Sequence, residues 1–327
     1  MLAPIGLCLI GLAALVAGAE LLTRGGSALA VRLGISPIII GLTVVSIGTS
    51  APELAVGIDA ALQGNGAIAV GNIAGTNTVN ILLILGISAI IEPLALRMQT
   101  LQIDLPAMIV AALLFWFLSF DGSLSREDGM VLMLAGSVYT FLIVRTARQE
   151  SRATRHRFEQ AHELAKKDVR DQGSAPSQVL ALFSGIAIIT LGAEFFVDGA
   201  VGLARLWNVS DAFIGLTVVA IGTSSPELVT TIVSSLRGHR DIAIGNLLGS
   251  SVYNIVFILG ATCLLPAGGI PISPDLIRID IPVMAAVALL CIPIFLSGRA
   301  ISRTEGAAFV LAYLAYLAYL IGARADL

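Results

Sequence analysis

The chain has 327 residues, 57% of them hydrophobic and 13% charged, with a formal net charge of −3 and a mean hydropathy of +0.93. That is too apolar for a soluble domain of this length, so the lipid bilayer is its solvent. The small net charge does not point to nucleic acid or acidic partners, because in such a chain charges sort by side of the membrane rather than by sum.

The opening MLAPIGLCLIGLAALVAGAE imitates a signal peptide, with an apolar run ending in Ala17-Gly18-Ala19. No basic residue precedes the run, and AGAELLTRGGSALA matches LGAEFFVDGAVGLA 174 residues later, with Glu20 falling on Glu194. A segment repeated in mid-chain is structural, so the first span is expected to be retained. Glu20 and Glu194 fall near span ends and are read as snorkelling or pairing with a neighbouring helix, with gating or ion entry as the alternative.

About 20 apolar residues cross the hydrocarbon layer, and the chain offers ten such spans: 3–23, 36–62, 67–91, 103–120, 129–145, 177–198, 211–236, 241–265, 279–297 and 304–322. They form two sets of five, 1–145 and 177–327, joined by a polar linker over 146–176. Residues 41–86 recur at 215–260 with 25 of 46 positions identical and no gap. An odd number of spans per copy makes the second enter from the opposite side, which predicts inverted repeats. The expected fold is therefore an all-α membrane protein of ten transmembrane helices in two inverted five-helix repeats, with helices 2 and 7 discontinuous.

Lys and Arg collect in cytoplasmic loops. With the N-terminus outside, 15 of the 19 fall on the inner side, leaving only Arg126, Arg205, Arg278 and Arg324 outside. This places both termini outside and the linker, with His156 and His162, in the cytoplasm; His239 falls in a short inner loop. The linker is read as a solvated connector, with lipid contact or regulation as its alternative. Cys8, Cys263 and Cys291 sit singly among apolar residues, without the spacing of a disulfide framework or a metal site.

Both copies carry an acid inside a span. Gly48-Thr49-Ser50-Ala51-Pro52-Glu53 recurs as Gly222-Thr223-Ser224-Ser225-Pro226-Glu227. Proline removes a donor and displaces the carbonyl four residues earlier, so Ser46–Thr49 and Ala220–Thr223 are expected to present free carbonyl oxygens. Glu53 lies four residues after Thr49, and Glu227 four after Thr223, placing each pair on one helical face. Two carboxylates and backbone carbonyls make a hard, all-oxygen site suited to Ca²⁺. In the following span of each copy, Thr76 with Asn80 and Ser250 with Asn254 offer hydroxyl and amide oxygens four residues apart, ligands suited to monovalent cations and water. Asp59, absent from the second copy, is read as a surface acid near the outer end of its span, with electrostatic attraction of cations as the alternative.

Taken singly, a membrane proline is often a kink and a small-xxx-small pattern is often packing. Two carboxylates at matched depth are different, since each costs about 2.5–3.5 kcal/mol at a span centre even on an insertion scale.

GTSAPE and GTSSPE, each followed by a GN-x-x-G-[ST] span, resemble the cation/Ca²⁺ antiporter superfamily, close to prokaryotic sodium/calcium exchangers. The resemblance covers both signature repeats and the ten-span plan. It implies that Glu53 and Glu227, with the carbonyls of Thr49 and Thr223, hold Ca²⁺. It further implies that Ser50, Thr76, Ser224 and Ser250, with the carbonyls of Ser46 and Ala220, form flanking Na⁺ sites, and that Asn80 and Asn254 line the centre. The implied activity is secondary antiport of Ca²⁺ against Na⁺ by alternating access, with no cofactor, no enzymatic step and no obligatory protein partner.

Exchangers of this type commonly carry an aspartate where this chain has Asn254, so two formal charges face the site rather than three. Three Na⁺ would leave it at about +1 and two protons would leave it neutral, which keeps H⁺/Ca²⁺ exchange, or a K⁺-dependent form, as the alternative coupling. A cation channel is the rival of another class, although channel filters are usually built from several subunits. An intramembrane hydrolase would need a Ser–His arrangement, an HExxH or paired intramembrane aspartates, and the sequence offers no such signature.

Overall fold

The computed structural model describes residues 2–146, 174–207 and 220–324. Most of the expected linker, with His156 and His162, and the start of the seventh expected span at 211–219 lie outside the described residues.

The chain runs α1 (Leu2–Leu33), α2 (Pro37–Thr49), α3 (Ala51–Leu62), α4 (Ile68–Ile91), α5 (Thr100–Leu118), α6 (Arg126–Thr146) and α7 (Ala175–Leu206). It continues through α8 (Ala220–Thr223) and α9 (Ser225–Leu236) to α10 (Arg240–Leu264), α11 (Leu276–Gly298) and α12 (Arg303–Arg324). Among the described residues, eight helices are long and apolar enough to cross a bilayer, and α2 with α3 makes a ninth span bent by 42°. α8 and α9 stand where the seventh expected span ends. The all-α expectation needs one amendment: four two-residue strands, β1 (Leu94–Ala95), β2 (Ser123–Leu124), β3 (Ile270–Pro271) and β4 (Ala300–Ile301).

Polarity is arranged as a bilayer demands. Leu9, Phe117, Leu134, Phe141, Leu180 and Leu311 are exposed, whereas Glu53, Asn80, Glu227 and Asn254 are buried. α4 and α10 form the interior, with 78% and 83% of their apolar stretches buried, against 28% for α1 and α7. Parts of both are wound more widely than an α-helix, over Val79–Leu85 and Asn254–Leu259. Such i→i+5 turns are rare and concentrate at functional positions.

The two halves of the chain are interleaved. β1 pairs antiparallel with β4 and β2 with β3, so each pairing is the counterpart of the other with the halves exchanged. The same exchange governs helix packing: a Cβ at Gly129 would lie 2.7 Å from the Gly260 carbonyl, and one at Gly306 2.6 Å from the Gly86 carbonyl. Ordinary side chains at these positions would push α6 off α10 and α12 off α4.

α1 and α7 pack directly on each other. A Cβ at Gly11 would lie 2.7 Å from Gly192 O, at Gly18 2.8 Å from Gly185 O, and at Gly25 2.9 Å from Gln178 O. Residue numbers rise along one helix as they fall along the other, so the pair is antiparallel, with glycines seven apart on each facing stripe. Without a hydrophobic drive between helices in lipid, close backbone approach supplies the dispersion energy that holds them together. Gly18→Leu is therefore expected to cost about 1–3 kcal/mol through forced separation, read as a lower thermal-unfolding midpoint in detergent. Gly6→Leu should leave that midpoint near wild type, because a Cβ there meets nothing within 4 Å; equal effects would show that the stripe is not the contact that matters.

Candidate functional site

The breaks in the two copies have the same backbone. Ser50 sits at φ −84°, ψ 12° between α2 and α3, and Ser224 at φ −84°, ψ 7° between α8 and α9. Pro52 and Pro226 occupy the first turn of the helix that follows, where a missing N–H costs nothing. Glu53 and Glu227 fall in those same first turns, so each carboxylate faces the positive end of its own short helix. One expectation needs correction: the Ser46 carbonyl is not freed by the proline, because Ser50 N–H donates to it at 3.1 Å. An ion at Ser46 O would use the second lone pair.

Six helices converge around the two acids. α2 packs on α10, α8 on the first part of α4, α9 on the wide turn that carries Asn80, and α3 on the wide turn that carries Asn254. Glu53 and Glu227 are both 0% exposed and lie near enough to repel each other. The Ser50 hydroxyl donates to Glu227 Oε1 at 3.3 Å, a direct link from the first copy's break to the second copy's acid. Thr49 Oγ1 donates to Asn246 Oδ1 at 3.0 Å. The Ser46 hydroxyl lies among the carbonyls of Gly41 at 2.6 Å, Asn246 at 3.0 Å and Gly245 at 3.3 Å.

Thr49, Ser50, Thr76, Asn80, Ser224, Ser250 and Asn254 are buried with the acids, and Thr223 is half-buried. Ala220 opens α8, on the same segment as Thr223. Both Glu53 oxygens, Glu227 Oε2, Ser250 Oγ and the complete amides of Asn80 and Asn254 meet no hydrogen-bond partner among the described residues. Uncompensated polar atoms at this depth are costly, and as a set they are oxygen donors of the kind hard cations prefer. No cluster of three or more His, Cys, Asp or Glu suited to a metal occurs among the described residues. A cation here would therefore be held by two carboxylates with amide, hydroxyl and carbonyl oxygens.

Three features were not read from the sequence. Asn246, the asparagine of the second GN-x-x-G, ties Thr49 to α10; its recurrence as Asn72 was the available signal. The face of α9 beyond Glu227 carries the buried hydroxyls of Thr230, Thr231, Ser234 and Ser235, where the first copy has Val56, Gly57, Ala60 and Ala61. Asp104 and Asp280 are buried acids in recurring Ile-Asp-x-Pro segments, accepting from Tyr139 Oη at 3.3 Å and Tyr316 Oη at 2.5 Å.

Glu20 and Glu194 part company. Glu20 pairs with Arg24 at 2.6 Å and with Arg237 at 2.8 Å, beside a cavity of about 450 Å³ bordered by Gln178 and His239. Thr23, one turn further along α1, shares a hydrogen bond of 2.9 Å with Ser234 of α9. Glu194 is exposed. Asp59 is also exposed and accepts from Gln63 at 2.8 Å, the surface role expected of it.

Known proteins agree with this layout. The sodium/calcium exchanger protein family matches residues 3–145 and 177–322, leaving out only the linker and the extreme termini. The chain is 38% identical to the inner membrane protein YrbG of Escherichia coli over 66% of each chain. It is 31% identical to the sodium/calcium exchanger MaX1 of Methanosarcina acetivorans, over 95% of this chain and 97% of MaX1. The crystal structure of the sodium/calcium exchanger from Methanococcus jannaschii superposes with a TM-score of 0.81 at 27% identity, covering 97% of this chain and 98% of that one. With matched breaks, buried acids and close relatives in agreement, the chain belongs to the sodium/calcium exchanger family of multi-pass membrane transporters.

Proposed function

We propose that the protein exchanges Ca²⁺ for Na⁺ across the cell membrane by alternating access at one central site. The observation that carries this reading is the meeting of two fully buried carboxylates at paired helix breaks, Glu53 beside Glu227 with Ser50 reaching across. Glu53 and Glu227, with the carbonyls of Thr49 and Thr223, would hold Ca²⁺. The carbonyls of Ser46 and Ala220, with Ser50, Thr76, Ser224, Ser250, Asn80 and Asn254, would serve the coupling ion. The exchange activity named for MaX1 supports Na⁺ as that ion; two acids that protons would neutralise keep H⁺ as the specific alternative.

Exchange follows from competition. A site with two bare carboxylates is costly to carry through a closed intermediate, whereas either cargo reduces that cost. The exchanged strand pairings and Gly–Gly contacts support two inverted five-helix repeats. α1 and α7, tightly joined and unbroken, would move as one body against the centre. The arginine-rich end, where Arg97 pairs with Asp241 and Arg240 with Glu92, is taken as cytoplasmic. This puts the N- and C-termini outside and the linker inside. The Glu20–Arg237 pair and the Thr23–Ser234 bond would close the inner route, which the hydroxyls of α9 would line when open.

Losing one charged ligand costs about 3–5 kcal/mol of site stability, so Glu53→Gln or Glu227→Gln should lower Ca²⁺ uptake into proteoliposomes by about 100-fold or more. Normal flux in either variant would refute the assignment. Imposing Na⁺ and pH gradients separately on wild-type vesicles distinguishes the couplings: uptake driven by the Na⁺ gradient alone is expected, and uptake driven only by pH would identify H⁺ as the counter-ion.

The inner closure carries a pH dependence. Partial burial pushes the His239 imidazole below its ordinary value, with Glu20 pulling weakly the other way. The neutral ring, hydrogen-bonded to Ser27 at 3.2 Å, is thus the form this packing favours. A depressed histidine stabilises the packed state fully above its unfolded pKa of about 6.5, and that contribution is lost as pH falls below it. Acidification from pH 7.5 to 5.5 should therefore lower the thermal midpoint of wild type more than that of His239→Gln. Parallel curves would remove His239 from the closure.

A further inference from the structure

Asn80 and Asn254 occupy matched positions, yet their surroundings differ. The Asn254 amide has no hydrogen-bond partner among the described residues, so its direction depends on how its helix is held. The wide turn of α10 begins at this residue, where the helical register changes. The residue just before it, Tyr253, is only 1% exposed and is fixed from three sides. Its hydroxyl shares a hydrogen bond of 3.0 Å with Thr140 of α6. Its ring stacks on Phe257 at 5.5 Å and meets the ring of Tyr139 at 5.7 Å. Tyr139 in turn donates to Asp104 of α5, a carboxylate that is 0% exposed.

Consecutive residues on a helix point about 100° apart. Fixing Tyr253 against α6 therefore fixes the rotation of α10 at the point where Asn254 leaves it. The other half has the same acid–tyrosine pair, Asp280 with Tyr316, but Val79 stands where Tyr253 would be. Valine has neither ring nor hydroxyl to pass that pair's hold on to Asn80.

We propose that Tyr253, anchored by Tyr139, Asp104 and Thr140, is a positioning residue that sets the Asn254 amide in the ion site, a constraint the Asn80 side lacks. The inference rests on the central-site reading given above. It makes two asparagines that are identical in the repeat unequal in the protein: one oriented from the lipid-side helices, the other free to adapt to its cargo.

Ca²⁺ uptake by the full-length protein in proteoliposomes, measured against Ca²⁺ concentration, tests this. Tyr253→Phe removes one buried hydrogen bond and keeps the ring, so the apparent KM for Ca²⁺ should rise about three- to tenfold with the maximal rate within about twofold of wild type. Thr140→Val, which removes the partner instead, should reproduce that shift. Ca²⁺ titration calorimetry on detergent-purified protein should show that Tyr253→Phe adds nothing further to an Asn254→Ala background, the non-additivity expected of residues acting through one another. Tyr316→Phe breaks the corresponding pair in the other half and should lower the thermal midpoint without moving KM. An unchanged KM in both Tyr253→Phe and Thr140→Val overturns the proposal, as does an equal KM shift in Tyr316→Phe, which would mark a general loss of packing. Uptake unaffected by Glu53→Gln would overturn the central-site reading itself, and with it the role given to Asn254; loss of uptake in Glu53→Gln with Tyr253→Phe like wild type overturns the positioning role alone.

Discussion

A carboxylate inside hydrocarbon must be compensated, and this chain holds two of them side by side at 0% exposure. No Lys, Arg or His ion pair reaches either acid among the described residues. What faces them is neutral: one serine hydroxyl on Glu227, the positive ends of two short helices, and a ring of amides and hydroxyls. Each of these lowers the cost of the charge without cancelling it. On the proposed reading the remaining charge would draw a cation, since a built-in counter-ion would leave nothing for cargo to neutralise.

The rest of the architecture serves that constraint. A helix offers its N-terminal dipole to the buried interior only if it begins there, which requires the breaks at Ser50 and Ser224. Broken backbone survives at that depth only when enclosed by protein, and α4 and α10 supply the enclosure as the most deeply buried spans. The approach of α10 to α2, the helix that leads into the first break, relies on small residues: a Cβ at Gly245 would lie 2.6 Å from Ile38 O, and one at Gly249 2.7 Å from Leu42 O. The glycines of the second GN-x-x-G segment therefore let α10 bring Asn246 against Thr49 on the first copy's broken span.

Legibility from sequence followed the range of the interaction concerned. Spans, breaks and the two acids could be read because hydropathy, proline and an intramembrane glutamate act locally and repeat at a fixed offset. Glu20 was ambiguous between surface and gate, because its partner Arg237 is 217 residues away and no local pattern announces the pair. The wide turns at Val79–Leu85 and Asn254–Leu259 went unread because i→i+5 bonding has no residue signature and arises from how neighbouring helices pack. Asp104 was overlooked for a related reason. It lies near a span end, where an acid is expected to reach water, and only the packing of α5 under Tyr139 shows that it does not.

Duplicated transporters face a further requirement that this chain makes visible. If the two copies were identical, the inner and outer routes would be equally lined and the two halves of the site equally stiff. Here the second copy has threonines and serines below Glu227 where the first has valine, glycine and alanines below Glu53, and Tyr253 where the first has Val79. The identities between the copies bury two acids at matched helix breaks, and on the proposed reading the differences would assign the sides. A hydroxyl-rich face would suit partly dehydrated ions on the route that the Glu20–Arg237 pair would close, while an anchored Asn254 would give the cargo one fixed wall. On that reading symmetry would build the site, and departures from symmetry would give it a direction.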